Sequence, residues 1–215
     1  MIPITIRTQP DDLTCGPTSL HAVYNYYNDI ISLDTVIKEV AYLEEGGTLG
    51  VLLGSHALKR GYRAMIYTYN LKVIDPTWFS MDSAVLIEKL KMQLHYKKGK
   101  KFHRVTDAYI EFLELGGVLN FTNLSPSLLR KYFRKNIPIL AGLSATYLYT
   151  CARESTDVHN KSFYDDIKGH PVGHFVILCG FDILKRHVVI ADPYKENPLY
   201  GNNYYSVRVD RLLNS

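Results

Sequence analysis

Cys15 stands at a position in the sequence that would activate a thiol. It is followed by Gly16 and Pro17, and apolar residues then recur at helical spacing from Leu20 to Ile30. Pro17 suits the first turn of a helix, because its missing N–H would have no partner there. The pattern predicts a helix from about Gly16 to Ile30, with Cys15 at its start. Unpaired N–H groups and the helix dipole at such a start favour the thiolate, which is the reactive form of cysteine.

Gln9 lies a short distance upstream and carries a side-chain amide that could reach the same point. A thiolate that attacks a carbonyl creates an oxyanion, which needs hydrogen-bond donors aimed at it. The amide N–H₂ of Gln9 and the backbone N–H of Cys15 would supply two such donors. We therefore predict an oxyanion hole formed by these two residues.

A histidine and an aspartate in the last third of the chain could complete the chemistry. His174 opens the apolar run 173–180, and Asp192 closes the run 188–192, so both runs are predicted as strands. A hairpin that is symmetric about Ile183 would place His174 directly opposite Asp192. In that register the imidazole takes the proton of the thiol, and Asp192 holds the correct tautomer by accepting the Nδ1–H.

Each of these residues also has an ordinary structural explanation. Cys15 could be a small buried cysteine that seats its helix, His174 a histidine at a strand edge, and Asp192 a turn residue before a proline. These explanations are weakened because the three residues would meet in one register. His170, which has loop residues on both sides, is ranked well behind His174 as the base. Asp182 lies at the far end of the hairpin and is expected to be remote from His174 in this register.

These residues, in this order, resemble the C39-like family of papain-type cysteine peptidases, in its stand-alone rather than its transporter-fused branch. The segments that carry the resemblance are Gln9, 15–20, 173–178 and 192–193. Bacteriocin-processing members usually carry an aspartate just before the nucleophile, where this chain has Thr14. Cleavage of double-glycine leaders is therefore not implied.

The resemblance implies a role for each residue. Gln9 would belong to the oxyanion hole, Cys15 would be the nucleophile, His174 the base and acid, and Asp192 the group that orients the imidazole. The resemblance also implies a papain-like fold, with N-terminal helices packed on a mainly antiparallel sheet.

At 215 residues the chain could form one large domain or two small ones, and the resemblance favours a single C39-like α+β domain over residues 1–215, which could belong to a longer protein. With 47% apolar residues the chain can bury a sizeable core, and a net charge of +4 does not require nucleic acid as a partner. Three scattered cysteines indicate neither a disulfide framework nor a zinc site. We therefore expect no cofactor and no metal, and a reducing, cytoplasmic compartment.

Membrane insertion is not expected from the sequence. The N-terminus lacks the pattern of a signal peptide, and the uncharged stretch 137–152 is too short and too polar to cross a bilayer.

Helices are predicted before strands along the chain, which is typical of the α+β class. Residues 144–172 are predicted to be a long loop that forms a wall or lid of the site. The predicted helices are 16–30, 33–43, 50–60, 82–96, 106–115 and one from 125; the predicted strands are 62–69, 117–121, 138–143, 173–180, 188–192 and 204–209.

The strongest concentration of charge is the basic run 95–104. One interpretation is a solvated helix end and loop. The other is a docking patch for an acidic peptide or a polyanion.

Three functions are compatible with these residues. The first is a cysteine peptidase or amide hydrolase that acts on a peptide or protein through Cys15, His174, Asp192 and Gln9. The second is an acyltransferase that passes the same thioester to an amine. The third is a module that binds peptides without cutting them; such a module would be expected to lose the Cys or the His, and both are present. The sequence leaves the oligomeric state open.

Overall fold

The computed structural model describes residues 1–43, 47–157 and 162–215, and the chain divides into two units. One unit joins Met1–Ile37 to Leu124–Ser215, and the other is Lys38–Asn123. The predicted mixture of helices and strands is confirmed. Assignment of the whole chain to a single domain stays a prediction.

Helices predominate in the first half of the chain, and strands predominate in the second half. The helices are α1 (Cys15–Tyr26), α2 (Leu33–Glu39), α3 (Gly50–Lys59), α4 (Ser83–Tyr96), α5 (Lys100–Glu114), α6 (Pro126–Phe133), α7 (Ala145–Tyr149) and α8 (Val209–Asn214). The strands are β1 (Met65–Tyr67), β2 (Val118–Asn120), β3 (Ile139–Ser144), β4 (Glu154–Thr156), β5 (Ser162–Tyr164), β6 (Gly173–Asp182), β7 (His187–Ala191) and β8 (Tyr204–Arg208).

A four-stranded antiparallel sheet organises the first unit, in the order β3–β6–β7–β8. Both faces of β6 are covered. Val176 and Leu178 belong to one buried cluster, whereas Ile177 and Cys179 belong to another, which includes Ala22 of α1. This double burial explains why 173–180 is a continuous apolar run rather than an alternating one.

The segment before α1 is extended and packs against the same sheet. Ile2, Ile4 and Ile6 are buried at every second position, as expected for extended backbone. The N–H of Ile2 donates to the carbonyl of Cys179 over 2.7 Å. The segment therefore runs beside the sheet before the chain turns into α1.

α1 ends four residues before the predicted end at Ile30. Tyr27 is the C-cap, and Asn28 adopts a left-handed conformation with φ of 58°. Asparagine tolerates this region better than most residues and commonly ends helices in this way. The apolar spacing continues past Tyr26, but the helical conformation of the backbone does not.

The predicted register of the hairpin is wrong. β6 and β7 pair Ile177 with Ala191 and Leu178 with Ile190, and the register then shifts by one residue at a bulge before Gly180. The predicted symmetry about Ile183 would have paired Leu178 with Val188. The turn between the strands spans residues 183–186 and ends at Arg186, which has a φ of 54°.

The second unit packs α3, α4 and α5 around a buried cluster that includes Leu90 and Phe112. Its two short strands, β1 and β2, pair in parallel. α5 begins at Lys100, six residues earlier than predicted, and α4 ends at Tyr96, so seven of the ten residues of the basic run 95–104 are helical.

Several side chains of that basic run bind to their own unit. Lys97 donates to the side-chain oxygen of Gln93 and lies over the ring of Phe102. His103 is hydrogen-bonded to the carbonyl of Lys97 over 2.7 Å. These contacts favour the first interpretation of the run, in which it is a helix end and loop.

Residues 144–172, predicted as a loop, contain α7, β4 and β5. Ser144 caps α7, because its hydroxyl accepts the N–H of Tyr147. β4 and β5 form a separate antiparallel pair. Part of the predicted loop, 158–161, lies outside the described residues. Among the described helices, none has the length and apolar character needed to cross a membrane.

Candidate active site

Cys15 is the first residue of α1 and is buried, with 8% of its surface exposed. The backbone N–H groups in the first turn of a helix have no partner within the helix. In α1 they are those of Cys15 and Gly16, because Pro17 has no N–H and Thr18 already donates to the carbonyl of Thr14. Two backbone donors therefore lie at the position of the thiol.

The residue before the helix leaves these donors uncapped. Threonine is a favoured N-cap, but the side chain of Thr14 makes no capping hydrogen bond. Its hydroxyl instead donates to the carbonyl of Asp11 over 3.2 Å and accepts the N–H of Asp11 over 3.3 Å. The start of α1 thus keeps its capacity to bind an anion.

α1 is fastened to β6 next to the histidine. The hydroxyl of Ser19 donates to the carbonyl of Phe175 over 3.2 Å. His174, the neighbouring residue, is buried, with 7% of its surface exposed. The Cys15 thiol is close enough to this ring to raise the pKa of the imidazole.

The other side of the imidazole binds Asp192. The Nε2 atom of His174 lies 2.8 Å from Oδ1 of Asp192. The Nδ1 atom is therefore the one left for Cys15. This corrects the sequence-based expectation that Asp192 would accept the Nδ1–H; the two ring nitrogens have the opposite partners.

His174 and Asp192 meet although they are not opposite each other. Extending the observed pairing by one residue from Ile177 and Ala191 places Asp192 opposite Val176. His174 is then the diagonal neighbour of Asp192 on the same face of the sheet. Such diagonal positions are about 7–8 Å apart, which long or aromatic side chains can bridge.

Asp192 is completely buried and accepts four hydrogen bonds. Oδ1 accepts from Nε2 of His174 and from the backbone N–H of Tyr194, each over 2.8 Å. Oδ2 accepts from the hydroxyls of Tyr149, over 2.7 Å, and Tyr205, over 2.5 Å. A buried polar side chain needs hydrogen-bond partners in place of water, and these four donors supply them.

Burial and the charge of Asp192 raise the pKa of both Tyr149 and Tyr205 far above the usual value for tyrosine. The two phenols therefore keep their protons and act only as donors to the carboxylate. Neither was assigned to the site from the sequence. Tyr149 lies in the segment predicted as a loop, and Tyr205 lies in the strand predicted at 204–209.

The aromatic surroundings fix the plane of the imidazole. The ring centroids of Tyr149 and Tyr194 lie 6.2 and 6.4 Å from that of His174. Tyr194 meets the imidazole edge-on, at an interplanar angle of 75°. The ring is thus held by aromatic contacts as well as by its hydrogen bonds.

The environment of His174 favours its charged form. Burial alone would lower its pKa, but the hydrogen bonds and negative charges of Asp192 and Cys15 outweigh burial and raise the pKa to about 9. At neutral pH the imidazole, which lies between Asp192 and Cys15, therefore keeps its proton.

Gln9 is fixed beside the end of β7. Its backbone N–H donates to the carbonyl of Pro193, the residue after Asp192, over 2.9 Å. Its side-chain Nε2 donates to the carbonyl of Asp11 over 2.9 Å, while Oε1 is buried without a partner among the described residues. One of the two amide hydrogens is thereby used within the loop that leads to Cys15.

His170 and Asp182 do not belong to this group of contacts around Asp192. His170 is exposed, and its backbone pairs with that of Glu154. Asp182 lies at the hairpin turn, where its Oδ1 accepts the N–H of Lys185. Burial raises the pKa of Cys151, and raises that of Cys179 to about 11. Neither of these thiols is poised to ionise near neutral pH.

Within the described ranges, no three His, Cys, Asp or Glu side chains are grouped as a metal site would require. The sequence-based expectation of a metal-free mechanism stays a prediction.

Residues 1–208 match the Peptidase_C39 like family, and the chain belongs to this family of peptidase-type hydrolases. A search of curated proteins found no match. A search of solved structures also found none.

Proposed function

We propose that the protein is a cysteine peptidase in which Cys15 is the nucleophile, His174 the base and acid, and Asp192 the group that orients the imidazole. The observation that carries this proposal is the unbroken series of contacts from the Cys15 thiol through His174 to the buried carboxylate of Asp192. Family membership supports the same class of reaction.

In the first step, the Cys15 thiolate attacks the carbonyl carbon of a peptide bond, and a carbon–sulfur bond forms. The negative charge that develops on the carbonyl oxygen needs donors close to the attacking sulfur. The N–H of Cys15 lies at the uncapped start of α1 and supplies one of them. We assign the second to the free amide hydrogen of Gln9, which requires its side chain to turn from the loop toward the substrate.

In the next step, the tetrahedral intermediate collapses and the carbon–nitrogen bond breaks. The His174 imidazolium gives its Nδ1 proton to the departing amine, which leaves a thioester on Cys15. Water then attacks the thioester, and the imidazole accepts a proton from it. The acid is released, and the thiolate and imidazolium are restored.

Asp192 acts by holding one charge state and one orientation of His174. Its carboxylate is anchored by two phenols and a backbone N–H, so it has little freedom to move. The imidazole that it binds therefore presents Nδ1 to Cys15 in every cycle. This preorganisation avoids a reorganisation cost at the moment of proton transfer.

The arrangement of elements supports a papain-like fold as part of the proposal. A buried helix carries the cysteine at its N-terminus, and the antiparallel sheet on which it packs carries the histidine and the aspartate. We further propose that the substrate is a peptide or protein and that the protein works without a cofactor in a reducing, cytoplasmic environment.

The proposal is tested by trapping the thioester. The protein is mixed with a library of peptide esters and amides, quenched in acid, and measured as intact protein by mass spectrometry. We expect an acyl adduct on Cys15 that disappears with time in water, and none in Cys15→Ser under the same conditions. An adduct that persists in water but transfers to added amines would support the acyltransferase instead. No adduct from any library member, with a reactive Cys15, would favour the binding module.

A further inference from the structure

One side of α6 collects positive charge around a depression in the surface. The depression has a volume of 280 Å³ and is lined by Ser127, Arg130, Lys131, Arg134 and Lys135. These residues recur at intervals that bring side chains to one side of a helix. We call this surface the basic face of α6, although it continues past the helix, because Arg134 is the C-cap and Lys135 follows it. No Asp or Glu lines the depression.

Among the described residues, no Asp or Glu forms an ion pair with any of the four cations of the basic face. Other exposed cations in the chain form such pairs: Lys59 lies 2.6 Å from Glu111, and Arg208 lies 2.9 Å from Asp210. Like charges at neighbouring helical positions repel each other. Such a cluster is therefore less stable when empty than when an anion lies among its members.

Arg130 is the most firmly placed of the four. Its guanidinium carbon lies 5.9 Å from the ring centre of Phe181, so the planar group rests on an aromatic side chain. Its Nε atom is buried and has no hydrogen-bond partner in the described part of the chain. Buried donors are rarely left unsatisfied, and the contact with Phe181 holds the planar group in place, so this guanidinium is a preorganised cation in the lining of the depression.

The geometry points to the basic face of α6 as a binding site for the phosphate groups of a small anionic ligand. Two arginines and two lysines supply forked and point-like donors, which is the combination that phosphate oxygens accept best. The depression is smaller than the roughly 300–1,000 Å³ of sites that enclose whole organic ligands. Its lining residues are all charged or hydroxylic, so contact with the ligand is made through its anionic group.

This site is separate from the proposed catalytic residues. Phe181, on which Arg130 rests, is seven residues beyond His174 on the same strand. At about 3.3 Å per residue, the two lie roughly 23 Å apart. Binding at the basic face therefore does not depend on the chemistry of Cys15, and Cys15→Ala should bind the ligand as the native protein does.

Inorganic pyrophosphate is the probe for the test, with isothermal titration calorimetry of the full chain at low and moderate salt. We expect one site per chain, with an affinity that falls as salt rises. Lys131→Ala with Arg134→Ala removes two exposed cations and should weaken binding by at least about tenfold, since each charge-assisted hydrogen bond contributes more than a neutral one. Arg130→Lys keeps the charge but removes the fork, and it should also weaken binding.

The matched control is Lys98→Ala with Lys100→Ala, which removes two exposed cations from the basic run of the other unit. It should change the affinity for pyrophosphate less than twofold. Equal weakening by the two double variants would overturn the proposal, because the effect would then follow net charge alone. The proposal would also fail if the native protein bound no pyrophosphate, or if it bound only vesicles of anionic phospholipid, which would indicate a membrane contact. Thermal unfolding of each variant verifies that it is folded.

Discussion

The Nε2 atom of His174 lies 2.8 Å from Oδ1 of Asp192, although the two residues occupy diagonal rather than opposite positions in the hairpin. The contact depends on the reach of the imidazole across the sheet. It also leaves Oδ2 of the same carboxylate free for the two phenols. Asp192 thereby connects His174 to two tyrosines of the buried core.

Asp192→Asn tests the role of this contact. The asparagine removes the negative charge that raises the pKa of His174, so that pKa should fall from about 9 toward its usual value. Turnover should fall by at least about 10²-fold, because the imidazolium is no longer stabilised. The pKa is measured by NMR titration of the histidine ring, and turnover with any substrate found by the trapping experiment.

Asp182→Asn is the matched control for that variant, because Asp182 lies in the same hairpin and its side chain accepts the N–H of Lys185 within the turn. It should alter neither the pKa of His174 nor turnover. If both variants had the same effect, the hairpin as a whole, and not the carboxylate of Asp192, would be responsible.

The three cysteines should differ in their rates of alkylation. Iodoacetamide should modify Cys15 first, because it lies at an uncapped helix start and contacts a protonated histidine. Cys151 and Cys179 should react slowly, since burial raises the pKa of each. Peptide mapping by mass spectrometry after short exposure at about pH 6.5, well below the free-thiol pKa of about 8.5, gives the three rates. Similar rates at all three would remove the basis for Cys15 as the nucleophile.

Gln9→Ala should lower turnover by about 10²–10³-fold, which is the usual effect of losing one oxyanion donor. Alkylation of Cys15 should change little, because that reaction creates no oxyanion. The backbone hydrogen bond from residue 9 to Pro193 does not involve the side chain and should persist. Thr8→Ala, at the exposed neighbouring position, is the control. A large loss of alkylation in Gln9→Ala would instead assign the residue a structural role.

The pH dependence should report on His174. Its folded-state pKa of about 9 lies above the usual 6.5, so the imidazolium persists through neutral pH and is lost as pH rises through about 9. The leaving amine needs that proton, so kcat/KM should fall on the alkaline side with a midpoint near pH 9. A midpoint near the usual 6.5 would show that the imidazole is not held in its charged form.

The same group should link stability to pH. A pKa raised by folding adds stability that is fully present below about pH 6.5 and is lost as pH rises through about 9. The loss is on the order of 3 kcal/mol, because one unit of pKa corresponds to about 1.4 kcal/mol. Denaturant unfolding from about pH 6 to about pH 10, which spans both pKa values, should show this loss in the native protein and in His170→Gln, but not in His174→Gln.

Removal of one phenol should destabilise the site without removing any proposed catalytic group. Tyr149→Phe and Tyr205→Phe each deprive the buried carboxylate of a donor, so each should lower the free energy of unfolding by about 1–3 kcal/mol. Tyr147→Phe, on an exposed side of the same short helix as Tyr149, should change it by less than about 0.5 kcal/mol. Equal effects at 147 and 149 would contradict the donor role.

The residues of the site could be proposed from sequence because each lies at a recognisable boundary. A proline fixes the start of α1, and a proline follows the aspartate at the end of β7. The register between β6 and β7 could not be predicted, because it depends on a bulge near Cys179 and on a left-handed residue, Arg186, in the turn. Both features reflect packing around the hairpin rather than its apolar pattern.

The two tyrosines that hold Asp192, Tyr149 and Tyr205, could not be predicted from the sequence either. Tyr149 belongs to a helix of five residues inside a segment predicted as a loop, and helices that short have little intrinsic stability. The early start of α5 was missed for a related reason. Its first turn is rich in lysine and arginine, and without an apolar stripe there the pattern favoured a solvated connection.

The side chain of Thr14 does not cap α1, and this leaves the start of the helix less stable than it could be. A capped helix start is typically more stable than an uncapped one by about 1 kcal/mol, so a residue that turned its oxygen onto the first N–H groups of α1 should make the protein harder to unfold. The same oxygen would occupy the position where we propose that the oxyanion binds. Selection for thermal resistance and selection for turnover should therefore favour different side chains at this residue.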